Sequence, residues 1–253
     1  MRPWKVLTVL VATATLVSVI AAAPVGAIHG ENGKICMVYD LGDPDTGFNA
    51  SAAEGAREAA AKLHVELAEG VSAIPSEIAA NIDAFVTSGE CDLIIGVAFI
   101  VASEMEPFMV AYPAQKFAVL DFTFGGIYPN VAEIVFEVDE GGFLAGYLAA
   151  GVSQTGKVGV FGGQPIPPVT LFMDGYALGV EWDNSVYGTD GDVLGWAPDL
   201  PTGLISFTFQ DPAAGQPITG DLYDQGADIV FPVAGVTGFG SLDEANDRKA
   251  AGE

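Results

Sequence analysis

The sequence predicts an α/β fold with two lobes, each built on a parallel sheet that helices cover on both faces. Short apolar runs alternate with amphipathic helical stretches, which is typical of βαβ units. Several apolar runs end in an acidic residue or a glycine-rich turn, among them Asp40, Asp121 and Gly235. Because parallel strands bring their carboxyl ends to one edge of a sheet, these residues mark the edge where a ligand would bind.

The elements follow in order from this alternation. Apolar runs rich in β-branched and aromatic residues predict strands at Ile35–Tyr39, Leu93–Val97, Phe117–Asp121, Ala132–Phe136, Lys157–Phe161, Gly203–Phe209 and Ile229–Val233. Stretches with helical periodicity predict helices at Ser51–Leu63, Pro75–Ser88, Ala102–Tyr112, Glu140–Ser153, Val169–Val180 and Pro217–Gln225. Glycine and proline predict a crossing between the lobes at residues 122–131 and a surface loop from about residue 188 to 201.

The N-terminus has the pattern of a signal peptide over residues 1–27. Arg2 and Lys5 precede the apolar run Val6–Ala23, and the small residues of 25–27 resemble a cleavage site. An uncleaved membrane anchor is the alternative, but the many Ala, Thr and Ser residues favour cleavage. No cysteine lies near the site, which argues against a lipid anchor here. We therefore expect an exported protein, periplasmic or at the cell surface.

Charge and cysteine content restrict the partners. The chain has 33 acidic and 9 basic residues, for a formal net charge of −24. Such a chain will not bind nucleic acid or an anionic membrane through general electrostatics. Cys36 and Cys91 are the only cysteines, and a disulfide or two buried thiols fit them equally well. Two cysteines alone cannot form a structural zinc site.

The sequence lacks most of the groups that enzymes use. Its two histidines are His29, near the predicted cleavage point, and His64, at the end of the first helix. It contains no Gly-x-Ser-x-Gly elbow and no phosphate-binding Gly-x-x-x-x-Gly-Lys loop. Prolines follow the glycines of 159–163 where a dinucleotide fold would begin a helix. A pair of acids for glycoside chemistry stays open, because only spatial separation decides it. We predict a protein that is not an enzyme and uses neither cofactor nor metal.

Residues 40–55 are the most informative segment. They lead from a predicted strand into a predicted helix and contain Asp45, Phe48 and Asn49. These residues offer a hydrogen-bond acceptor, a stacking face and an amide, which suits a flat polar molecule. The alternative is a capped helix start, with Asn49 or Asp45 as the cap.

The segment Lys34–Gly55 resembles the basic membrane protein (BMP) family, the solute-binding components of nucleoside ABC importers. The resemblance lies in Asp45-Thr46-Gly47-Phe48-Asn49 followed by Glu54-Gly55, although the family usually has serine in place of Gly47. Further similar segments follow in the same order up to residue 240, at Phe117–Asp121, Glu140–Ala150, Phe209–Pro212 and Gly226–Ile229. Each match alone is weak, and their order makes the resemblance specific.

The resemblance implies a type I periplasmic-binding-protein fold with two Rossmann-like lobes and the ligand between them. The lobes would comprise residues 28–130 and 131–253. The family continues beyond the position of Glu253 with a ribose-binding aspartate and the return to the first lobe. We therefore expect a C-terminally truncated second lobe with an unpaired sheet edge, weaker ribose binding and lower stability than a full-length relative.

The resemblance also implies the ligand-binding residues. Phe48 would stack on one face of a base and Phe209 on the other, with Phe207 as the second choice. The remaining positions would contact the base edge, nearby groups or the sugar: Asp45, Asn49, Asp121 and Gly235. Helix packing, helix capping, core packing and turn formation are the structural alternatives for these residues.

The implied function is solute binding. The chain would be a monomer that delivers a nucleoside, with a purine as the favoured base, to ABC permease subunits at the membrane. The alternatives are a binder of a sugar or another polar solute, and a ligand-sensing module on the same scaffold.

Overall fold

A computed structural model describes residues 33–45, 47–198 and 203–252. The predicted signal peptide, residues 1–27, lies outside the described residues. None of the helices in the described part is long and apolar enough to span a membrane.

The first lobe contains a five-stranded sheet with the order β2-β1-β3-β4-β5, in which all paired strands are parallel. Its strands are β1 (Lys34–Val38), β2 (Glu66–Gly70), β3 (Leu93–Val97), β4 (Phe117–Leu120) and β5 (Val131–Ile134). Its helices are α1 (Gly47–Leu63), α2 (Pro75–Ser88) and α3 (Ala98–Ala111). The predicted α/β class with parallel sheets is confirmed.

The second lobe contains a three-stranded parallel sheet with the order β7-β6-β8 in the described residues. Its strands are β6 (Lys157–Gly162), β7 (Asp192–Leu194) and β8 (Ile229–Val233). Its helices are α4 (Val138–Val152), α5 (Pro167–Tyr187), α6 (Pro212–Asp224) and α7 (Phe239–Ala251), and a short 3₁₀ helix (Gly235–Gly238) precedes α7.

Three features differ from the sequence-based expectation. Strand β5 pairs with β4, so the first sheet extends to Ile134 and not only to residue 130. The expected strand at Gly203–Phe209 is reduced to one bridge between Ile205 and Gly162. Strands β2 and β7 and helix α7 were not expected. Both strands lie at sheet edges, where the apolar signal of a strand is weakest.

A disulfide joins β1 to the segment that precedes β3 in the core of the first lobe. Cys36 on β1 and Cys91 before β3 are bonded, with Cα atoms 5.8 Å apart. Around them pack fully buried residues of β3, α2 and α3, such as Ile94, Ile82 and Met105. The structure thus selects the disulfide over the alternative of two buried thiols.

Helices α4 and α5 of the second lobe pack backbone against backbone. Glycines spaced four apart make this approach possible on both helices, Gly142 and Gly146 on one, Gly175 and Gly179 on the other. A Cβ added at Gly146 would lie 1.9 Å from the carbonyl oxygen of Tyr176. Only glycine therefore fits the contact. The pair covers one face of the sheet and holds Tyr176 stacked on Phe231, with ring centroids 5.1 Å apart.

Candidate ligand-binding site

A cavity of about 670 Å³ lies between the two lobes at the carboxyl ends of their strands. The first lobe contributes residues that follow β1, β3 and β4, and the second lobe residues that follow β6 and β8. This is the edge of a parallel sheet where ligands bind in open α/β folds. Its volume falls within the range of small-molecule sites.

Asn49 lines this cavity and has a buried hydrogen-bond acceptor. The residue lies in the first turn of α1 and is 6% exposed. Its Nδ2 donates to the carbonyl oxygen of Asp40, 3.0 Å away. Its Oδ1 is buried and has no hydrogen-bond partner among the described residues. Burying an acceptor without a partner is unfavourable, which makes this oxygen a candidate for accepting a hydrogen bond from a ligand.

Asp121 lines the cavity directly after β4. Its backbone has a φ of 61°, the left-handed region that residues other than glycine seldom adopt. Ala98, which follows β3 and also lines the cavity, has a φ of 67°. Strained backbone of this kind concentrates at functional sites. Burial raises the pKa of the Asp121 carboxyl above its usual range.

Six phenylalanines supply the aromatic part of the lining. Phe48 is half exposed on α1, and Phe209 packs against Gly163, where a Cβ would meet its ring at 2.2 Å. Phe207 is 70% exposed and does not line the cavity. Its φ of 60° breaks the alternation that would have placed it beside Phe209. Of the two, the structure brings Phe209 to the cavity. The full set is Phe48, Phe99, Phe172, Phe209, Phe231 and Phe239.

Asp45 is the one expected ligand residue that does not line the cavity. Its carboxylate accepts a hydrogen bond from Nη1 of Arg57 at 2.7 Å. The loop before α1 thus sends Asp40 and Asp43 to the cavity, and Asp45 to the helix behind it.

Gly235 and Gln210 form the second-lobe rim. Gly235 lines the cavity with a φ of 55°, a conformation that favours glycine. The Nε2 of Gln210 donates to the carbonyl oxygen of Leu41 at 3.1 Å, so the two lobes are hydrogen-bonded beside the cavity.

The electrostatic character of the cavity is acidic. Asp40, Asp43 and Asp121 line it, and its described lining contains no lysine, arginine or histidine. Burial raises the pKa of Asp40, an effect that the hydrogen bond from the Leu41 backbone N–H partly opposes. Such a lining disfavours an anionic ligand. In residues 33–45, 47–198 and 203–252, no three His, Cys, Asp or Glu side chains are grouped to hold a metal ion.

Several lining residues were not found from the sequence. Phe99, Phe172 and Phe231 lie in α3, α5 and β8, where a phenylalanine has the pattern of ordinary core packing. These rings line one cavity only because the two lobes lie next to each other. Asp40 could be placed at this edge from the sequence, because it follows the apolar run of β1.

Comparison with known proteins decides the family. A family model described as ABC transporter substrate-binding protein PnrA-like (Bmp) matches residues 33–252. The chain belongs to this family. The resemblance seen in its motifs is therefore confirmed, and the family's description is that of a binding protein and not of an enzyme.

Individual relatives agree with this assignment. An uncharacterized lipoprotein of Pyrococcus horikoshii is 29% identical over 88% of the chain and 54% of its own length. Basic membrane protein D of Borreliella burgdorferi is 28% identical over 84% of the chain and 59% of its own length. The chain thus spans somewhat more than half the length of these curated relatives. The names of these relatives imply an extracytoplasmic location.

A solved structure agrees with the fold. The crystal structure of an ABC transporter system solute-binding protein from Aeropyrum pernix K1 superimposes with a TM-score of 0.72 at 30% identity. The match covers 87% of this chain and 60% of that chain. The expected periplasmic-binding-protein architecture is therefore confirmed for the described residues.

Proposed function

We propose that the chain is the exported, monomeric solute-binding component of an ABC importer and that it carries a nucleoside in the interlobe cavity, with a purine as the favoured base. The ligand would be delivered to permease subunits at the membrane. Lobe closure over the ligand would be the signal that the permease recognises.

The proposal is carried by a cavity lined by phenylalanines together with the lining residue Asn49, whose Oδ1 is buried and has no hydrogen-bond partner among the described residues. Phenylalanine rings bind the faces of a flat heterocycle, and a fixed acceptor reads an N–H or O–H at its edge. Asp121 offers a second acceptor from the end of β4. Phe48 and Phe209, from opposite lobes, are the rings proposed to enclose the base. Gly235 would let the backbone approach the sugar.

The acidic lining supports a neutral ligand. A nucleoside has no charge, whereas a nucleotide would bring its phosphate near Asp40, Asp43 and Asp121. Like charges in a partly buried site repel strongly. We therefore propose discrimination by charge, with nucleosides accepted and nucleotides rejected.

A thermal-shift screen followed by calorimetric titration tests the proposal. The panel contains guanosine, adenosine, uridine, guanine, guanosine monophosphate, ribose and glucose. We expect purine nucleosides to raise the melting temperature most and guanosine monophosphate to leave it unchanged. At a ligand concentration of a hundred times Kd, the stabilisation is about 2.7 kcal/mol. A shift with sugars alone would favour the sugar-binding alternative, and no shift with any nucleoside would refute the proposal.

Asp121→Asn tests where the ligand binds. Asparagine tolerates the left-handed backbone, so the variant should fold while losing the acceptor charge. We expect guanosine affinity to fall about tenfold or more. Asp190→Asn is the matched control, because Asp190 is exposed in the loop between α5 and β7, away from the cavity.

A further inference from the structure

The cavity loop between β1 and α1 is connected to a side chain outside the cavity. We infer that Arg57, bound to Asp45, positions this loop for ligand binding. Asp45 then acts through Arg57 rather than by contact with the ligand. The inference rests on the proposed function, because it concerns the affinity of the same cavity.

The segment that needs positioning supplies a large share of the first-lobe lining. Residues 40–43 of the loop and residues 47–49 of the first turn of α1 all face the cavity. Gly47 has a φ of 56°, and a Cβ added there would meet no atom within 4 Å, so the turn has open space on this side. Asn49 is held by its hydrogen bond to the Asp40 carbonyl oxygen, and the position of the loop between these two residues also depends on the contacts of Asp45.

Arg57 provides such a contact from the same helix. Its Nη1 donates to Oδ1 of Asp45 at 2.7 Å, and its Nη2 lies 3.0 Å from Oε1 of Glu69 on β2. The same Glu69 oxygen accepts a hydrogen bond from the hydroxyl of Tyr39 at 2.5 Å. Tyr39 is fully buried directly after β1. The chain of contacts thus runs from the loop through Arg57 to the edge strand and the core.

The chemistry of arginine suits this position. The planar guanidinium can donate to two carboxylates at once, whereas the lysine ammonium is a single point charge. The two hydrogen-bonded carboxylates raise the pKa of Arg57, Asp45 with the larger effect and Glu69 next. In a chain with 33 acids and 9 basic residues, loss of Arg57 would remove the cation that Asp45 and Glu69 share.

The network is exposed enough to be removed without unfolding the lobe. The side chains of Asp45 and Arg57 are 68% and 45% exposed. Ion pairs with this exposure contribute little to global stability. Removing the pair should therefore loosen the loop while the sheet and its core stay intact.

Affinity for guanosine is the first measurement. We expect Asp45→Ala and Arg57→Ala each to weaken binding by about three- to tenfold, the cost of ordering a loosened loop on binding. The double variant should bind no more weakly than Arg57→Ala, because that substitution already removes the contact with Asp45 along with the contact to Glu69. Arg57→Lys should restore little, since lysine cannot bridge both carboxylates. Lys62→Ala is the matched control: it breaks the exposed pair with Glu58 on the same helix and should leave affinity unchanged.

Hydrogen–deuterium exchange of the unliganded protein is the second measurement, and it does not depend on the ligand. Exchange in residues 40–50 should be faster in Asp45→Ala and Arg57→Ala than in the wild type or Lys62→Ala. Melting temperatures should be similar in all four proteins.

The outcomes separate this inference from the proposed function. Weaker binding in Asp45→Ala with wild-type binding in Arg57→Ala would show that Asp45 touches the ligand, and would overturn the inference. Unchanged affinity in both variants would also overturn it. If the wild type binds no nucleoside, the proposed function fails. Hydrogen–deuterium exchange then tests the inference without a ligand. Faster exchange in both variants would support positioning of the loop by Arg57, and unchanged exchange would overturn it.

Discussion

The two lobes contribute different side chains to the cavity, and each lobe is stabilised internally in a different way. The first lobe supplies every carboxylate of the lining, together with Asn49, and its core contains the disulfide. The second lobe supplies four of the six phenylalanines and is organised around a glycine-mediated helix pair. Under the proposed function, the first lobe would select the ligand by its polar edge and the second would provide an apolar surface for its face.

Reduction of the disulfide tests the first lobe and is expected to change the free energy of unfolding more than any other change proposed here. The bond closes a loop between residues 55 positions apart, and its loss should lower the free energy of unfolding by about 2 to 4 kcal/mol. Urea unfolding with and without reductant measures the change. A Cys36→Ala, Cys91→Ala double variant should be insensitive to reductant. An equal midpoint for the reduced and oxidised wild type would mean that the bond does not stabilise the first lobe.

Gly146→Ala tests the second lobe in the same assay. The added Cβ would meet the Tyr176 carbonyl oxygen at 1.9 Å, so α4 and α5 must separate, at a cost of about 1 to 3 kcal/mol. Gly151→Ala in the same helix is the control, because its Cβ would meet only Asp183 Oδ1 at an ordinary 3.8 Å. That control should gain up to about 1 kcal/mol from helix propensity. Stabilisation by both substitutions would contradict the close packing of these helices.

Phe209→Ala tests how much a phenylalanine of the second lobe contributes to ligand affinity. Stacking on a base contributes about 1 to 3 kcal/mol per ring, so guanosine affinity should fall about tenfold. Phe207→Ala is a control of the same residue type two positions away, exposed and outside the cavity. Titration calorimetry compares the two. A greater loss in Phe207→Ala would move the stacking position to that residue.

The smallest effect is expected from Asp40→Asn and depends on pH. Burial raises the pKa of Asp40 in the folded state, so the folded state binds more protons than the unfolded state above the usual aspartate pKa. Stability therefore falls as pH rises through this range. The variant should melt higher than the wild type at pH 7, with the difference vanishing near pH 3. Asp190→Asn, exposed in its loop, is the control and should melt like the wild type at pH 7. A lower melting temperature of Asp40→Asn at pH 7 would contradict the burial effect.

The sequence predicted the parallel α/β class because buried strands such as β1 and β3 are continuous apolar runs. It missed β2, Glu-Leu-Ala-Glu-Gly, because acids interrupt the apolar pattern of this edge strand. It placed a strand at 203–209, where the chain makes only one bridge. An apolar composition alone does not reveal whether a partner strand is available.

The lining of the cavity was also predictable only in part, because it depends on contacts between distant residues. Phe48, Asn49, Asp121, Phe209 and Gly235 all line the cavity, since they follow strand ends or lie in the loop after β1. Asp45 lies in the same loop, but its carboxylate binds Arg57, which follows twelve positions later in the chain. Residue type and spacing gave no sign of that ion pair. The rings of Phe172 and Phe231 become part of the site only when the lobes face each other.

A crystal structure grown with guanosine tests the central claim most directly. The account predicts the base between the rings of Phe48 and Phe209, with its edge hydrogen-bonded to Asn49 Oδ1 and the Asp121 carboxylate. A base bound outside the interlobe cavity, or inside it without contact to either of these acceptors, would contradict the account.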